Sequence, residues 1–282
     1  MSVLSTTSAW KISEQQKIDY AQQGYLILRN LFTPQEKADL IEWVKDVKNS
    51  PDMPNHYMHY EEIKGNGKKD RTLTENFVDH HEQLGHLLRS QELAHLVQQV
   101  TGEEMVLFKE KIVYKTPGGG GFPAHTDAPS YQHIASINHL SLAMAVEPAT
   151  PENGCVEVLP GSHLLKDIPT RHDKCIDDAW CAKQRWIPAE LDTGDIFIFS
   201  SFLVHRSEKN DSEKGRALIY ATFNLTKEGG DQRREYYEHR REKWPATFER
   251  KPNVSYQEGY DMYAWGTPMG TIHNQVAVAP VM

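Results

Sequence analysis

The second half of this chain is a series of short β-rich runs, and this pattern constrains the fold more than any other feature of the sequence. The runs are rich in β-branched and aromatic residues, and Gly, Pro, Asn and Asp separate them, as is typical of strands joined by turns. In chain order they are MVLFKEKIVYK, HLSLAMAVEPA, CVEVLPGSH, WIPAEL, DIFIFSSFLVH and ALIYATFNL. Because helical patterns precede them, the sequence predicts an all-β core, a sandwich or jelly roll, braced by N-terminal α-helices.

The N-terminal part predicts three helices and one short strand. Ser13 and Gln16 fit a capping box with Gly24 as the stop, and the segment 33–36 repeats this pattern with proline at the first helical position. Between them, YLILRNLF is typical of a strand. Apolar residues at helical spacing predict a third helix over about 82–100. The polar stretch 49–78 is predicted to be a surface loop.

We expect a single domain with three parts. The first, 1–103, would be a mainly helical support, and the second, 104–226, the β core. The third, 227–282, would be a C-terminal helix and tail, because REYYEHRREKWPATFER returns to helical propensity. The chain has 282 residues, and β-sandwiches and barrels of roughly 200–250 residues often form one domain.

Charge and hydropathy exclude several classes of partner. A formal net charge of -8 and a pI near 6.0 oppose attraction to phosphate backbones, so we expect no nucleic-acid partner. The most apolar stretch, DIFIFSSFLVH, is far shorter than the ~20 residues of a membrane-spanning helix, so we expect no membrane span. The chain ends carry no targeting signal, which predicts a cytoplasmic protein. The sequence contains no signal for oligomeric state.

A His-x-Asp pair in GGFPAHTDAPSY is the first part of a candidate metal site. His125 and Asp127 follow a strand and a glycine-rich turn, and residues two apart in an extended segment point to the same side. His205, at the end of the apolar strand DIFIFSSFLVH, is the candidate third ligand. Two histidines and one carboxylate form the facial triad of non-haem Fe(II) oxygenases, which leaves positions open for cosubstrate and O2.

A basic residue and a hydroxyl follow the second histidine at short spacing. Arg216 begins the strand RALIYATFNL, and a hairpin would return it beside the metal. Its guanidinium could hold a carboxylate through two parallel hydrogen bonds, which suits the distal carboxylate of 2-oxoglutarate. Ser207 lies two residues after His205, on the same face, and could add a hydroxyl to this site.

With these residues in order, the chain resembles the phytanoyl-CoA dioxygenase family of Fe(II)/2-oxoglutarate oxygenases. The matching pieces are HTD, PENGCVEVLPGSH at 151–163, HRS at 205–207 and the arginine at 216. The resemblance implies a double-stranded β-helix, iron bound by His125, Asp127 and His205, and 2-oxoglutarate held by Ser207 and Arg216. The family's lysine contact to 2-oxoglutarate has three candidates here: Lys109, Lys111 and Lys115. In this family His163 would be a structural turn residue.

Further residues are candidates for substrate binding, each with a plainer alternative. Lys109 and Lys111 lie on one strand face, either as solvated edge lysines or as inward cations that await an anion. Tyr131 is a core residue or a pocket wall. The segment 232–243 is interpreted as a charged helix surface, or alternatively as a lid that offers Arg234, His239 or Arg240 to a substrate. Gly118 to Gly121 would form a mobile rim of the active site rather than a phosphate loop.

The combined interpretation is a dioxygenase that couples decarboxylation of 2-oxoglutarate to hydroxylation of an unactivated C–H bond. The basic residues indicate a small anionic or zwitterionic substrate, and the segments around HTDAPSY and YYEHRREKWP are similar to members that hydroxylate 2-aminoethylphosphonate. A long-chain amino alcohol or a secondary metabolite is the alternative within the same chemistry. A cupin-like protein with a redox-inactive metal is the alternative of another class.

Overall fold

The computed structural model describes residues 10–64, 66–130, 138–265 and 267–268. The described helices are α1 (Glu14–Gln23), α2 (Pro34–Asn49), α3 (Glu82–Leu88), α4 (Gln91–Thr101), α5 (Asp178–Cys181), α6 (Arg233–Lys243) and α7 (Gln257–Tyr263). The described strands are β1 (Tyr25–Leu28), β2 (Met58–Ile63), β3 (Lys69–Glu75), β4 (Met105–Lys115), β5 (Phe122–His125), β6 (His139–Ala145), β7 (Val156–Val158), β8 (Ile187–Ala189), β9 (Ile196–Ser200), β10 (His205–Ser207) and β11 (Arg216–Leu225).

Two antiparallel sheets form the core. The larger has seven strands in the order β1-β9-β6-β11-β4-β3-β2, and the smaller has four in the order β5-β10-β7-β8. An apolar cluster that includes Val156 and Val158 of the small sheet and Phe197, Phe199 and Leu218 of the large sheet joins them. This is the double-stranded β-helix, so the predicted jelly-roll class is confirmed.

The N-terminal helices brace the large sheet, as predicted. Leu40 and Val44 of α2 and Leu93 of α4 share one apolar cluster with Ile112 and Ile219 of the central strands. Both capping boxes form, and Gly24 ends α1 with a positive φ of 82°, a conformation that glycine adopts at little cost. The third predicted helix is two helices, since it breaks before Ser90, whose hydroxyl caps α4.

The prediction of a surface loop over 49–78 was wrong. Strands β2 and β3 pair as an antiparallel hairpin, and β3 pairs in turn with β4, so this segment extends the large sheet. The strands were not recognised because several polar residues of this segment are buried, so polarity did not indicate exposure. His59 and Glu75, for example, are 1% and 2% exposed. The first predicted strand, YLILRNLF, is also shorter, since it ends at Leu28.

The C-terminal helix α6 is packed rather than solvated on one face. Arg233, Tyr236, Tyr237 and Arg240 are buried, so the interpretation of 232–243 as a charged surface was wrong for this face. Arg233 Nη2 donates to the buried carboxylate of Glu110 in β4 at 2.9 Å. No helix within the described residues is both long and apolar enough to cross a membrane.

Candidate active site

The sheet register brings the two predicted histidine ligands face to face. His125 ends β5 and His205 begins β10, and the antiparallel pairing places these two residues directly opposite each other. Their ring centroids are 4.2 Å apart. Asp127 follows β5 by two residues, and Oδ1 of its carboxylate lies 3.9 Å from Nε2 of each histidine. One ligand atom from each residue therefore converges on a point that an ion can occupy.

Hydrogen bonds on the far side of each ligand orient the set. His125 Nδ1 is 2.7 Å from the carbonyl of Pro123, and His205 Nδ1 is 2.9 Å from the carbonyl of Leu203. Because a carbonyl only accepts, each Nδ1 carries the proton and each Nε2 keeps its lone pair for a metal.

The ionisation of the site also suits a cation. Burial, followed by the charge of His205, lowers the pKa of His125 to about 3, which keeps the imidazole neutral. Burial opposes ionisation of Asp127, but His205, Lys111 and His125 outweigh it and hold the pKa of this carboxyl well below its usual range. Neutral imidazoles and an ionised carboxylate are the forms that bind divalent metals.

A pocket on one side of the triad contains an incompletely paired arginine. Arg216 lines this pocket together with Ser207 and Tyr220, and its side chain is only 2% exposed. Nη2 donates to the carbonyl of Gly154 at 2.7 Å, but Nε and Nη1 have no hydrogen-bond partner among the described residues. A buried guanidinium in this state is costly, and a carboxylate that accepts from its unpaired donors would reduce the cost.

Lys115 contacts Ser207, one of the residues that line this pocket. Its Nζ donates to Ser207 Oγ at 2.7 Å and to the carbonyl of Gly154 at 3.3 Å. Gly154 has a φ of 73°, and a Cβ there would lie 2.3 Å from the carbonyl oxygen of Glu208, so only glycine fits. Burial, with Arg216 adding to it, lowers the pKa of Lys115 to about 6. Lys115 therefore positions the hydroxyl of Ser207 as a neutral or weakly charged amine.

A second pocket lies on the other side of the triad and carries two lysines. Lys109 and Lys111 both line it next to His125 and Asp127. Of the two predicted alternatives for these lysines, the structure therefore agrees with inward side chains. Lys109 is 6% exposed, and burial, followed by the charge of Lys111, lowers its pKa to about 7. The central position of β4 in the large sheet excludes the edge-strand alternative. Lys111 lines both pockets and therefore stands between them.

Arg240 reaches the same pocket but is already paired. Its Nε lies 2.5 Å from the carboxylate of Glu75, and both side chains are 2% exposed. The guanidinium also packs over the rings of Tyr60 and Tyr263, at 5.2 and 4.5 Å from their centroids. Arg240 therefore forms part of the pocket wall through an internal ion pair.

Other predicted residues lie elsewhere. His163 is outside both pockets, and its Nε2 lies 3.2 Å from the carbonyl of Ala21, in keeping with a turn residue. Tyr131 falls outside the described residues. Glu75, Ser141 and Trp265 were not predicted from the sequence, although they line the pocket or contact a ligand. The serine inside the apolar run HLSLAMA was an available signal for Ser141.

Two histidines and a carboxylate at one end of a double-stranded β-helix, beside a buried arginine with free donors, define an Fe(II)/2-oxoglutarate-dependent oxygenase. The donor set fits Fe(II), and the pocket of Arg216 and Ser207 fits the distal carboxylate of 2-oxoglutarate.

Comparison with known proteins agrees with this class. Residues 20–218 match the phytanoyl-CoA dioxygenase (PhyH) family. The chain is 30% identical over 258 residues to a 2-aminoethylphosphonate dioxygenase from an uncultured bacterium (HF130_AEPn_1), covering 91% of this chain and 98% of that protein. It is 34% identical over 230 residues to a methylphosphonate hydroxylase from Gimesia maris, covering 82% and 87%.

Solved structures share the fold. EctD from S. alaskensis, in a crystal structure with 2-oxoglutarate and 5-hydroxyectoine, superposes with a TM-score of 0.66 at 19% identity, covering 79% of this chain and 80% of that chain. The carbocyclase SnoK from nogalamycin biosynthesis superposes with a TM-score of 0.64 at 20% identity, covering 78% and 87%. The chain belongs to the phytanoyl-CoA dioxygenase family, and it is an Fe(II)- and 2-oxoglutarate-dependent dioxygenase.

Proposed function

We propose that this enzyme hydroxylates the carbon next to phosphorus in a small aminoalkylphosphonate, with 2-aminoethylphosphonate as the first candidate. The observation that carries the proposal is the pair of lysines, Lys109 and Lys111, in the pocket beside the metal ligands. In the reaction, one atom of O2 enters the C–H bond and the other enters succinate, while the first carbon of 2-oxoglutarate leaves as CO2.

The charge in the pocket favours a dianion. The charge of Arg240 is balanced by Glu75, and Asp127 is placed to bind the metal, so Lys111 is left to attract an anionic group, with Lys109 beside it in the pocket. A phosphate-like group carries about -1.5 to -2 charge at neutral pH and offers three acceptor oxygens. Lys111 forms no salt bridge within the part of the chain that the structure describes, and its Nζ packs 5.2 Å from the ring centroid of Tyr220.

The residues of the chain then have distinct roles. His125, Asp127 and His205 would hold Fe(II), and Arg216 with Ser207 would hold the distal carboxylate of 2-oxoglutarate. Bound together, Fe(II) and 2-oxoglutarate supply the O2 activation that oxidises a C–H bond. Our proposal gives the lysines the task of fixing the phosphonate so that its neighbouring carbon faces the metal.

The remaining candidates complete the pocket. Tyr236 and Tyr263 form an aromatic part of the pocket wall, against which the organic end of a small substrate would lie. Tyr131 stays a predicted pocket residue, and Arg240 is assigned to the wall through its ion pair with Glu75. The names of two relatives, a 2-aminoethylphosphonate dioxygenase and a methylphosphonate hydroxylase, support a phosphonate substrate.

The test is a substrate panel assayed by succinate release and by 31P NMR of the product. The panel contains 2-aminoethylphosphonate, methylphosphonate, β-alanine as the carboxylate analogue, and a long-chain amino alcohol. We expect O2-dependent turnover of the aminoalkylphosphonate with a new α-hydroxyphosphonate signal, and little turnover of β-alanine. Turnover of the amino alcohol without turnover of either phosphonate would transfer the assignment to the alternative substrate class.

A matched pair of lysine variants tests whether the pocket lysine binds the phosphonate. Lys111→Met should raise KM for the phosphonate at least about 30-fold, because a charge-assisted contact contributes roughly 2 kcal/mol. Lys227→Met removes an exposed lysine that pairs with Glu103 and should leave KM unchanged. Equal KM values in the two variants would contradict the lysine assignment.

A further inference from the structure

The indole of Trp265 packs against the metal ligand His125. Its ring meets the ring of His125 edge-on, with centroids 5.9 Å apart and an interplanar angle of 90°. It lines the same pocket as the two lysines, and it is 7% exposed. Trp265 therefore occupies a position from which water would otherwise approach the ligands.

The backbone around Trp265 is fixed from both sides. Ala264, which precedes it, is fully buried, and its carbonyl accepts a hydrogen bond from Thr267 Oγ1 at 2.7 Å. Helix α7 is held close to the end of α6, since a Cβ at Gly259 would lie 2.0 Å from the carbonyl oxygen of Lys243. The hydroxyl of Tyr263 lies 2.6 Å from Nδ1 of His239 in α6. The indole is thus presented by an anchored segment.

The glycine-rich turn before His125 packs against the segment that follows α7. A Cβ at Gly120 would lie 3.0 Å from both Cβ and Cγ of Pro268, so the absence of a side chain lets the C-terminal segment approach closely. Gly120 N also donates to Glu62 Oε1 at 3.3 Å, which ties the turn to the β2–β3 hairpin. This turn was predicted to be a mobile rim of the active site. In the structure Gly120 contacts Pro268, three residues after Trp265.

We propose that Trp265 is a positioning residue that keeps water from the metal site and so couples consumption of 2-oxoglutarate to substrate hydroxylation. In coupled turnover, substrate C–H, 2-oxoglutarate and O2 give C–OH, succinate and CO2. In uncoupled turnover the second oxygen atom becomes water instead, with two electrons and two protons from an external reductant such as ascorbate. An active site open to water favours the second outcome.

The first test measures succinate formation by the full-length enzyme with Fe(II), 2-oxoglutarate and ascorbate, without any substrate. Trp265→Ala should raise this rate at least about threefold over the wild type, and Trp265→Phe should fall between them. The control is Trp43→Ala, because Trp43 packs against the outer face of the large sheet and lines neither pocket. An unchanged rate in Trp265→Ala would overturn the proposal.

A second measurement separates shielding from a general structural role. Anaerobic addition of Fe(II) should quench tryptophan emission in the wild type and in Trp43→Phe, because the indole of Trp265 lies beside a metal ligand. The amplitude of quenching should fall in Trp265→Phe while the melting temperature stays within a few degrees. An amplitude equal to that of the wild type would show that Trp265 does not lie beside the metal and would contradict the proposal. Neither measurement uses the phosphonate, so a wrong substrate assignment would leave both results intact.

Discussion

Ser141 donates a hydrogen bond to Oδ2 of Asp127 at 3.0 Å, and this contact turns the other carboxylate oxygen toward the two histidines. Ser141 lies on β6 of the large sheet, while Asp127 follows β5 of the small sheet. The metal site is therefore oriented by both sheets, although both histidine ligands belong to strands of the small one.

Ser141→Ala should weaken Fe(II) binding without removing it. Outer partners of metal ligands typically contribute 10- to 100-fold in affinity, and we expect about tenfold here because the carboxylate would rotate more freely. Anaerobic metal titration followed by absorbance or calorimetry measures the change. Ser207→Ala is the matched control, since it removes a hydroxyl from the cosubstrate pocket and should lower the affinity for 2-oxoglutarate only. A Ser141→Ala protein with wild-type Fe(II) affinity would show that this hydrogen bond does not orient the ligand.

Arg216→Lys should fail to replace Arg216. A lysine keeps the charge but lacks the planar set of N–H donors of a guanidinium, so we expect the dissociation constant of 2-oxoglutarate to rise at least about tenfold, and about 100-fold in Arg216→Ala. Titration of the visible absorption of the anaerobic Fe(II)/2-oxoglutarate complex gives these constants. Arg234→Ala serves as the control, because Arg234 is exposed, pairs with Glu238 on the surface of α6 and lines neither pocket. Normal 2-oxoglutarate affinity in Arg216→Lys would argue against a bidentate contact.

Local motifs made the metal ligands and Arg216 predictable from the sequence. His125 and Asp127 form a His-x-Asp pair after a strand. His205 ends one apolar run, and Arg216 begins the next. Such features depend on residues that are close in the chain. The β core was predictable for the same reason, since its strands carry apolar runs between turn residues.

The pocket wall was not predictable, because it depends on contacts between distant segments. Glu75 meets Arg240 across a sequence separation of 165 residues. The β2–β3 hairpin was predicted as a loop, because it buries polar residues such as His59, Thr74 and Glu75 beside its apolar ones. Hydrophobic periodicity detects strands that face a core, and it fails where a strand faces a polar site.

Glu75→Gln should destabilise the protein more than a surface change of the same size. The pair of Glu75 and Arg240 is buried, so loss of the carboxylate leaves a guanidinium charge without its partner, which typically costs about 3–5 kcal/mol. Urea unfolding gives the free energy of unfolding. Glu258→Gln is the control, because Glu258 is exposed and pairs with Lys243 at the surface. A loss below about 1 kcal/mol would show that water or another group satisfies Arg240.

Lys109→Met should stabilise the protein while impairing its function. The pKa of Lys109 is lowered to about 7, below the ordinary value near 10.4, because burial disfavours the charged amine. At pH 7 and below the folded protein therefore bears the full cost of a buried ammonium, and this cost fades as pH rises from about 7 to 10.4. We expect Lys109→Met to raise the free energy of unfolding by about 1–3 kcal/mol at pH 6, with a smaller gain at pH 9. Lys227→Met, at an exposed site, should show no such trend.

The same pKa predicts the pH dependence of substrate binding. A phosphonate dianion requires a protonated Lys109, so its KM should rise as pH increases through about 7, where the amine of the free enzyme loses its proton. In Lys109→Arg the side chain stays charged at every accessible pH, and the KM profile above pH 7 should become flat. Initial rates at saturating 2-oxoglutarate from pH 6 to 9 give both profiles. The affinity for 2-oxoglutarate, measured in parallel, is the internal control, because Lys109 does not line the pocket of Arg216. If the wild type and Lys109→Arg showed the same rise in KM, the titrating group would be the substrate or another residue, and Lys109 would not be the site of anion recognition.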